Sequence, residues 1–426
     1  MCVEPSAPPP NRLTRRGVLA ASAALAGTAT ALGAASSTKA AAAAATRPAA
    51  HAGDLVIEGG TLLDPATGDV TEDAVVVIRE GVVRASGARD AVDVPEGAPR
   101  LDAQGQWVLP GLVDAHIHLN TAAEAQDAVR KGATSARSGS TNFYQDIAVR
   151  ELARQAPEHA PRLQAAGIFV TPDLGDTILA DPDLTALARL KNGVRSAEAL
   201  RRVVEVNLAR GADVVKTRVN ERAGLPEQDP LAQVYSYEQL SEVVTAARRG
   251  GKGVLCHSYS ERGCHDAVTA GIRSLEHGVF VAERTLREML RRGTYFTPTL
   301  TAIAGLATSS DPVLAERGRT YLPILKKAVL AAHEMGVPLA AGTDSSGGSV
   351  HPIGGEVELM HSAGLSALDA IRTATTGAAR LLGLTGTVGR LTRGHAGDVI
   401  LLAGDPLKDP GLLKSPTRVV RSGLAL

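Results

Sequence analysis

Two histidines, His116 and His118, stand two residues apart in the run VLPGLVDAHIHL. In an extended chain, residues i and i+2 face the same side, so the two imidazoles can grip one ion. Other residues fit for metal binding or proton transfer recur at the ends of apolar runs. These are Lys216 in ADVVKTRVN, His257 in KGVLCHSYS, His277 in IRSLEHG and Asp344 in PLAAGTDS. Each has an ordinary structural explanation when taken alone. A strand-end histidine can be packed, a buried lysine can be ion-paired, and Asp344 can serve a turn or a helix cap. Lys216 is the hardest to explain that way, because an unpaired ammonium in an apolar run is very costly. Four histidines, one lysine and one aspartate at successive strand ends instead form the donor set of a metal-dependent hydrolase.

The elements that must carry these residues are visible as apolar runs. Candidate strands are 108–115, 133–137, 163–170, 213–219, 253–257, 272–276, 295–299 and 338–342. Helical stretches at 144–155, 196–210, 238–249, 283–292 and 322–335 lie between them. Alternating strands and helices specify an α/β fold, and eight strand candidates match a (β/α)8 TIM barrel. In such a barrel the carboxyl ends of the strands share one mouth, so the candidate ligands converge there. The flanks differ: DLVIEGGTLLDPATGDV and DAVVVIREGVVRASG near the start, and HAGDVILLAGDPL and TRVVRSG near the end, look like short antiparallel strands. They predict a small β-sandwich domain built from both chain ends. The expected boundaries are 1–50 for a leader and linker, 51–107 plus 385–426 for the sandwich, and 108–384 for the barrel.

Composition narrows the function classes. Lysine plus arginine and aspartate plus glutamate number 45 each, so nothing in the charge balance calls for nucleic acid or an anionic membrane. Aromatic residues are only 3%, too few for extensive stacking platforms. A small-molecule substrate is the expected partner, and a homo-oligomer stays open. Arg15 and Arg16 precede an apolar, acid-free stretch of small residues, TRRGVLAASAALAGTATALGAA. This is similar to a twin-arginine signal peptide. It is too short and too rich in Ala and Gly for a convincing membrane span. The expectation is export by that route, leaving a periplasmic or secreted mature protein without a span. Cys2 falls in the leader, and Cys256 and Cys264 read as buried small side chains rather than a disulfide.

The motifs PGLVDAHIHL, VVKTRV, LCHSYS, SLEHG and AGTDS, in that order, resemble the amidohydrolase superfamily. The nearest subgroup is the imidazolonepropionase-like and prolidase-like one, which includes Xaa-Pro dipeptidases and N-acyl amino acid hydrolases. The resemblance implies a binuclear centre, by family habit zinc. His116, His118 and Asp344 would bind one ion, and His257 and His277 the other. Lys216 would carry a bridging carbamate. Hydroxide formed from a water shared by the ions would attack a carbonyl, with Asp344 as the catalytic proton carrier. Tyr235 in VYSYEQL matches a substrate-contacting tyrosine of related peptidases, and Arg218 and Asn220 are further substrate-binding candidates. The second-strand motif keeps Arg137 but has no acidic neighbour, and VTPDLGDT lacks the subgroup's histidine. The implied reaction is cleavage of a peptide-like C–N bond in a dipeptide or N-acyl amino acid. A cyclic amide or lactone hydrolase, a deaminase, or a catalytically silent binding protein would keep the same scaffold.

Overall fold

A computed structural model describes residues 53–175 and 181–426. The leader expected at 1–50, His51 and part of the 171–180 loop lie outside them. Both chain ends meet in one eight-stranded sheet. Its amino-terminal strands are β1 (Leu55–Leu63), β2 (Val70–Arg79), β3 (Val82–Ala88), β4 (Arg100–Asp102) and β5 (Trp107–Pro110). Its carboxyl-terminal strands are β13 (Val399–Leu402), β14 (Arg418–Arg421) and β15 (Leu424–Ala425). The junction is the antiparallel pairing of β5 with β13, which sets Leu109 opposite Ile400. Valines 75–77 and their neighbours bury without interruption on β2, and β-branched residues suit that pleated surface.

Between the ends lie two parallel sheets. One orders β6 (Leu112–Ile117), β7 (Ala133–Ser138) and β8 (Arg162–Gln164). The other orders β12 (Tyr295–Thr297), β11 (Ser274–His277), β10 (Val254–Ser258) and β9 (Val215–Arg218). Every residue of β6, β7, β9, β10, β11 and β12 is buried. That is the signature of parallel strands covered on both faces. Backbone bridges tie the two sheets together at Val170 with Thr217, and Phe296 pairs with Leu339 beyond β12. The Ala115 N–H donates to the Ala341 carbonyl at 2.8 Å, and the Asp344 N–H to the His116 carbonyl at 2.7 Å. The chain around 339–344 therefore lies beside β6.

Helices follow the strands, and several of them begin at a side-chain cap. After β6 comes α1 (Ala122–Arg130), opened by a reciprocal cap between Thr121 and Glu124. Then come α2 (Gln145–Gln155), α3 (Ala197–Ala209) and α4 (Tyr237–Arg249), the last with Ser236 and Gln239 capping each other. Such caps each contribute about 1 kcal/mol. Next are α5 (Glu261–Ala270), α6 (Glu283–Arg292), α7 (Leu300–Ala307) and α8 (Pro312–Glu334), then α9 (Ile353–Ser362), α10 (Ala367–Thr373) and α11 (Thr376–Leu381). Among the described residues, no helix is long and apolar enough to cross a membrane.

Several sequence expectations change, among them the strand expected at 338–342, whose only β-pairing is the isolated Phe296–Leu339 bridge. The run 108–115 is two strands rather than one, because the chain passes from the end sheet into the parallel sheet at Gly111. A Cβ there would lie 2.2 Å from Thr134 Oγ1, so only glycine fits the crossing. The third strand is regular only over Arg162–Gln164, and its later part holds on by the Val170 bridge. The helix expected at 322–335 starts ten residues earlier, at Pro312, because Asp311 caps it and proline is favoured in a first turn. Pro323 sits inside it, which explains why the pattern seemed to begin there.

Candidate metal centre

The strand ends bring the expected ligands together. His116 is the penultimate residue of β6, and His118 lies just past its end. The Asp344 Oδ1 atom is 3.0 Å from His118 Nε2 and 3.3 Å from His116 Nε2. One donor atom from each of these three residues falls within 4.8 Å of the others. Lys216, on β9, is fully buried and places Nζ 3.0 Å from His116 Nε2. It also lies 5.6 Å from the face of Phe169 and close enough to the buried Glu276 carboxylate for their charges to interact. His257 is the penultimate residue of β10 and His277 ends β11; their ring centroids are 4.4 Å apart, and His277 lies 5.5 Å from the His116 ring.

One nitrogen of each imidazole is held by an oxygen of the protein. His116 Nδ1 bonds to Glu276 Oε2 at 2.6 Å, and His118 Nδ1 to the Ser140 carbonyl at 2.7 Å. His257 Nε2 bonds to the Glu221 carbonyl at 3.0 Å. His277 Nδ1 bonds to Thr299 Oγ1 at 2.6 Å, and that hydroxyl donates to the Pro298 carbonyl. Carboxylate and carbonyl oxygens accept, so they face an N–H at Nδ1 of His116 and His118 and at Nε2 of His257. Neutral imidazoles held in this way would offer an ion Nε2 of His116, His118 and His277 and Nδ1 of His257, with Asp344 Oδ1 3.0 Å from His118 Nε2. Ligating histidines are oriented in this way, by giving their second N–H to a protein oxygen.

The backbone reserves room at the same place. A Cβ on Gly139 would come within 2.6 Å of Nε2 of both His116 and His118. A cradle of that kind, beside two lone pairs and a carboxylate, fits a divalent cation. Ser140, His277, Thr299 and Asp344 all hold positive φ, at 93°, 67°, 52° and 54°. Non-glycine residues rarely adopt this conformation, and it concentrates at functional sites.

Sequence reasoning missed the residues that hold the ligands. Glu276 is fully buried, and burial alone would push its carboxyl up. The Arg137 charge and the His116 hydrogen bond outweigh that and hold it at about 2. Arg137 reaches Glu276 at 3.1 and 3.2 Å and also bonds Ser274 and the Ala115 carbonyl. The acidic partner that seemed absent beside Arg137 is therefore on β11, one residue before His277. Asp114 accepts the His116 N–H and both the N–H and hydroxyl of Thr343, joining β6 to the Asp344 segment. Burial raises its carboxyl to about 6. The only available signal for Glu276 and Asp114 was an acid inside an otherwise apolar strand.

The expected substrate contacts fare differently. Asn220 is committed to the protein. Its amide NH2 donates to Leu231, Ala232 and Ser260, and its oxygen accepts the N–H groups of Tyr259 and Ser260. It pins a loop to the start of α5. Tyr235 is buried and its hydroxyl donates to the Val194 carbonyl at 2.8 Å. In this structure its hydroxyl proton is given to the protein. Arg218 bonds Thr171 Oγ1 at 2.8 Å and Glu221 at 2.6 Å. The remaining described histidines (His159, His265, His333, His351, His361 and His395) are not among the residues grouped with His116, His118 and Asp344. Cys256 and Cys264 are buried free thiols.

The amidohydrolase family model matches residues 107–425. Ochratoxinase of Aspergillus niger is 26% identical over 406 residues, covering 84% of this chain and 83% of the relative. A dihydroorotase of Anaeromyxobacter dehalogenans is 29% identical over 418 residues, covering 85% and 92%. Among solved structures, a Xaa-Pro dipeptidase with bound methionine superposes with a TM-score of 0.77 at 23% identity, over 88% of this chain and 99% of its own. With a matching family model over three quarters of its length and a buried histidine–aspartate cluster at the strand ends, the chain belongs to the amidohydrolase family of hydrolytic enzymes.

Proposed function

We propose that the chain is a binuclear metal-dependent hydrolase that cleaves an amide bond in a small substrate such as a dipeptide or an N-acyl amino acid. The observation that carries this reading is the set of four imidazoles around Asp344 and Lys216, each held at one ring nitrogen by a protein oxygen. His116, His118 and Asp344 would hold one ion, and His257 and His277 the second. When bound, two divalent ions, zinc by preference for nitrogen and oxygen donors, would acidify a water and polarise the scissile carbonyl. Lys216, as the neutral amine, would add to carbon dioxide and release one proton, which would turn the buried amine into an anionic carbamate suited to divalent ions. Asp344 stands where it can take the proton of the attacking water and deliver it to the leaving nitrogen. Arg218, on the β9 side of the cluster, is the proposed anchor for an anionic substrate group.

On this reading the two parallel sheets form one (β/α)8 barrel over 108–384. Residues 51–107 and 385–426 form a small β-sandwich, and 1–50 is an export leader. Support for amide cleavage comes from the ochratoxinase relative and from the dipeptidase-like fold. The dihydroorotase relative keeps a second reading alive, hydrolysis of a cyclic amide at the same centre. The test is a screen of metal-loaded protein against dipeptides, N-acyl amino acids, cyclic amides and lactones. Turnover of the first two classes is expected. Turnover confined to cyclic amides or lactones would replace this reading with the second, and silence in every class with metal bound would favour a binding protein.

A further inference from the structure

Between β9 and α4 the chain makes a loop that closes on itself. Asn220 bridges Gln233, the Glu221 N–H donates to the Ala232 carbonyl at 3.1 Å, and the Val234 N–H to the Val219 carbonyl at 2.8 Å. Inside the loop, four carbonyls converge on a single side chain of α8. The Arg317 guanidinium donates through Nη1 to Ala223 at 3.0 Å and Leu225 at 2.7 Å, and through Nη2 to Pro226 at 3.2 Å and to Gln228. A planar fork with four used N–H groups fixes a loop in both position and orientation. Irregular backbone needs such partners, since each unpaired carbonyl costs free energy where water is excluded.

The elements that Arg317 joins are the ones that orient the second pair of histidines. Glu221, at the root of the loop, supplies the carbonyl that fixes His257 Nε2. Helix α8 is packed tightly on α7: a Cβ at Gly318 would lie 2.0 Å from the Ala307 nitrogen. Thr299, immediately before α7, fixes His277 Nδ1. Arg317 therefore clasps the support of one histidine to the support of the other. Its contacts reach the metal centre by way of His257 and His277, with no contact to the His116, His118 and Asp344 side among those described.

We propose that Arg317 is a positioning residue for the second metal site, holding the 221–232 loop so that His257 and His277 share one ion. This rests on the binuclear reading above. The experiment compares wild type, Arg317→Ala and Arg317→Lys in two measurements. The first is amide hydrogen exchange of the metal-free proteins over residues 221–235, with α4 as internal control. The second is bound metal per chain at buffered free zinc. Arg317→Ala is expected to speed exchange in the loop but not in α4. It should also weaken one ion by about tenfold, the lower range for loss of outer support, while the other stays. Arg317→Lys keeps the charge without the fork and should fall between. Unchanged exchange, or both ions weakened alike, would overturn the proposal. A wild type that binds fewer than two ions would sink the binuclear reading together with the metal arm. The exchange arm, read without metal, shows separately whether the clasp exists.

Discussion

At the scale of single residues, the centre depends on groups that never touch an ion directly. Glu276 is the clearest. It is fully buried, paired with Arg137, and bonded to His116 Nδ1 at 2.6 Å. Glu276→Gln keeps the shape but removes the charge that favours the Nδ1–H tautomer and raises the basicity of Nε2. Metal affinity, measured by competition with a chelator, is expected to fall 10- to 100-fold, on the order seen for lost carboxylate partners. Unchanged affinity would show that His116 needs no such support. Gly139 gives a steric counterpart. Gly139→Ala would drive a methyl to within 2.6 Å of two ring nitrogens. Bound metal after gel filtration should be largely lost, at an overpacking cost of about 1–3 kcal/mol in stability. The candidate ligands were legible because histidine, lysine and aspartate are conspicuous at the ends of apolar runs. Their supports were not. Ser140 and Glu221 act through backbone carbonyls, which carry no side-chain signature, and Gly139 acts by lacking a side chain.

At the scale of elements, the parallel strands were legible because β9, β10 and β11 are short runs buried on both faces. The third strand and the chain at 338–342 were overread as regular strands. They are held by isolated bridges and by hydrogen bonds to neighbours, which no local pattern reports. Helices α7 and α9 went unread for a related reason. The α7 sequence LTAIAGLA is apolar nearly all round, so it shows no amphipathic period. Its start is fixed from outside, by Glu356 of α9. That carboxylate accepts the N–H groups of Leu300 and Thr301 and the Thr301 hydroxyl, at the helix end that favours an anion. Burial nonetheless raises its carboxyl to about 7. The folded pKa then exceeds the ordinary carboxylate value, so the unfolded chain ionises first as pH rises. The Glu356 contribution therefore falls as pH climbs from about 4.5 to about 7 and is level above that. Denaturant unfolding across this range should show a negative slope in wild type that is smaller in Glu356→Gln. An equal slope in both would place the titration elsewhere.

At the scale of the whole molecule, the sequence foretold that both chain ends would share β-structure around a central α/β region, and they meet in one sheet through β5 and β13. It misplaced the crossing by a few residues, because Gly111 is demanded by Thr134, a residue distant in sequence. Transport also belongs to this scale. A leader read by the twin-arginine route would carry the chain already folded. Arg15→Lys with Arg16→Lys is expected to leave the protein inside the cell with its metal site intact, by fractionation and metal assay. Undiminished export would reject that route.

Every assignment at the centre presumes that the folded chain holds two ions. Elemental analysis of purified protein, refolded or expressed with added zinc and freed of loose metal, tests this most directly. Close to two divalent ions per chain is the predicted result, and protein that is folded by circular dichroism yet holds no stoichiometric metal would contradict it.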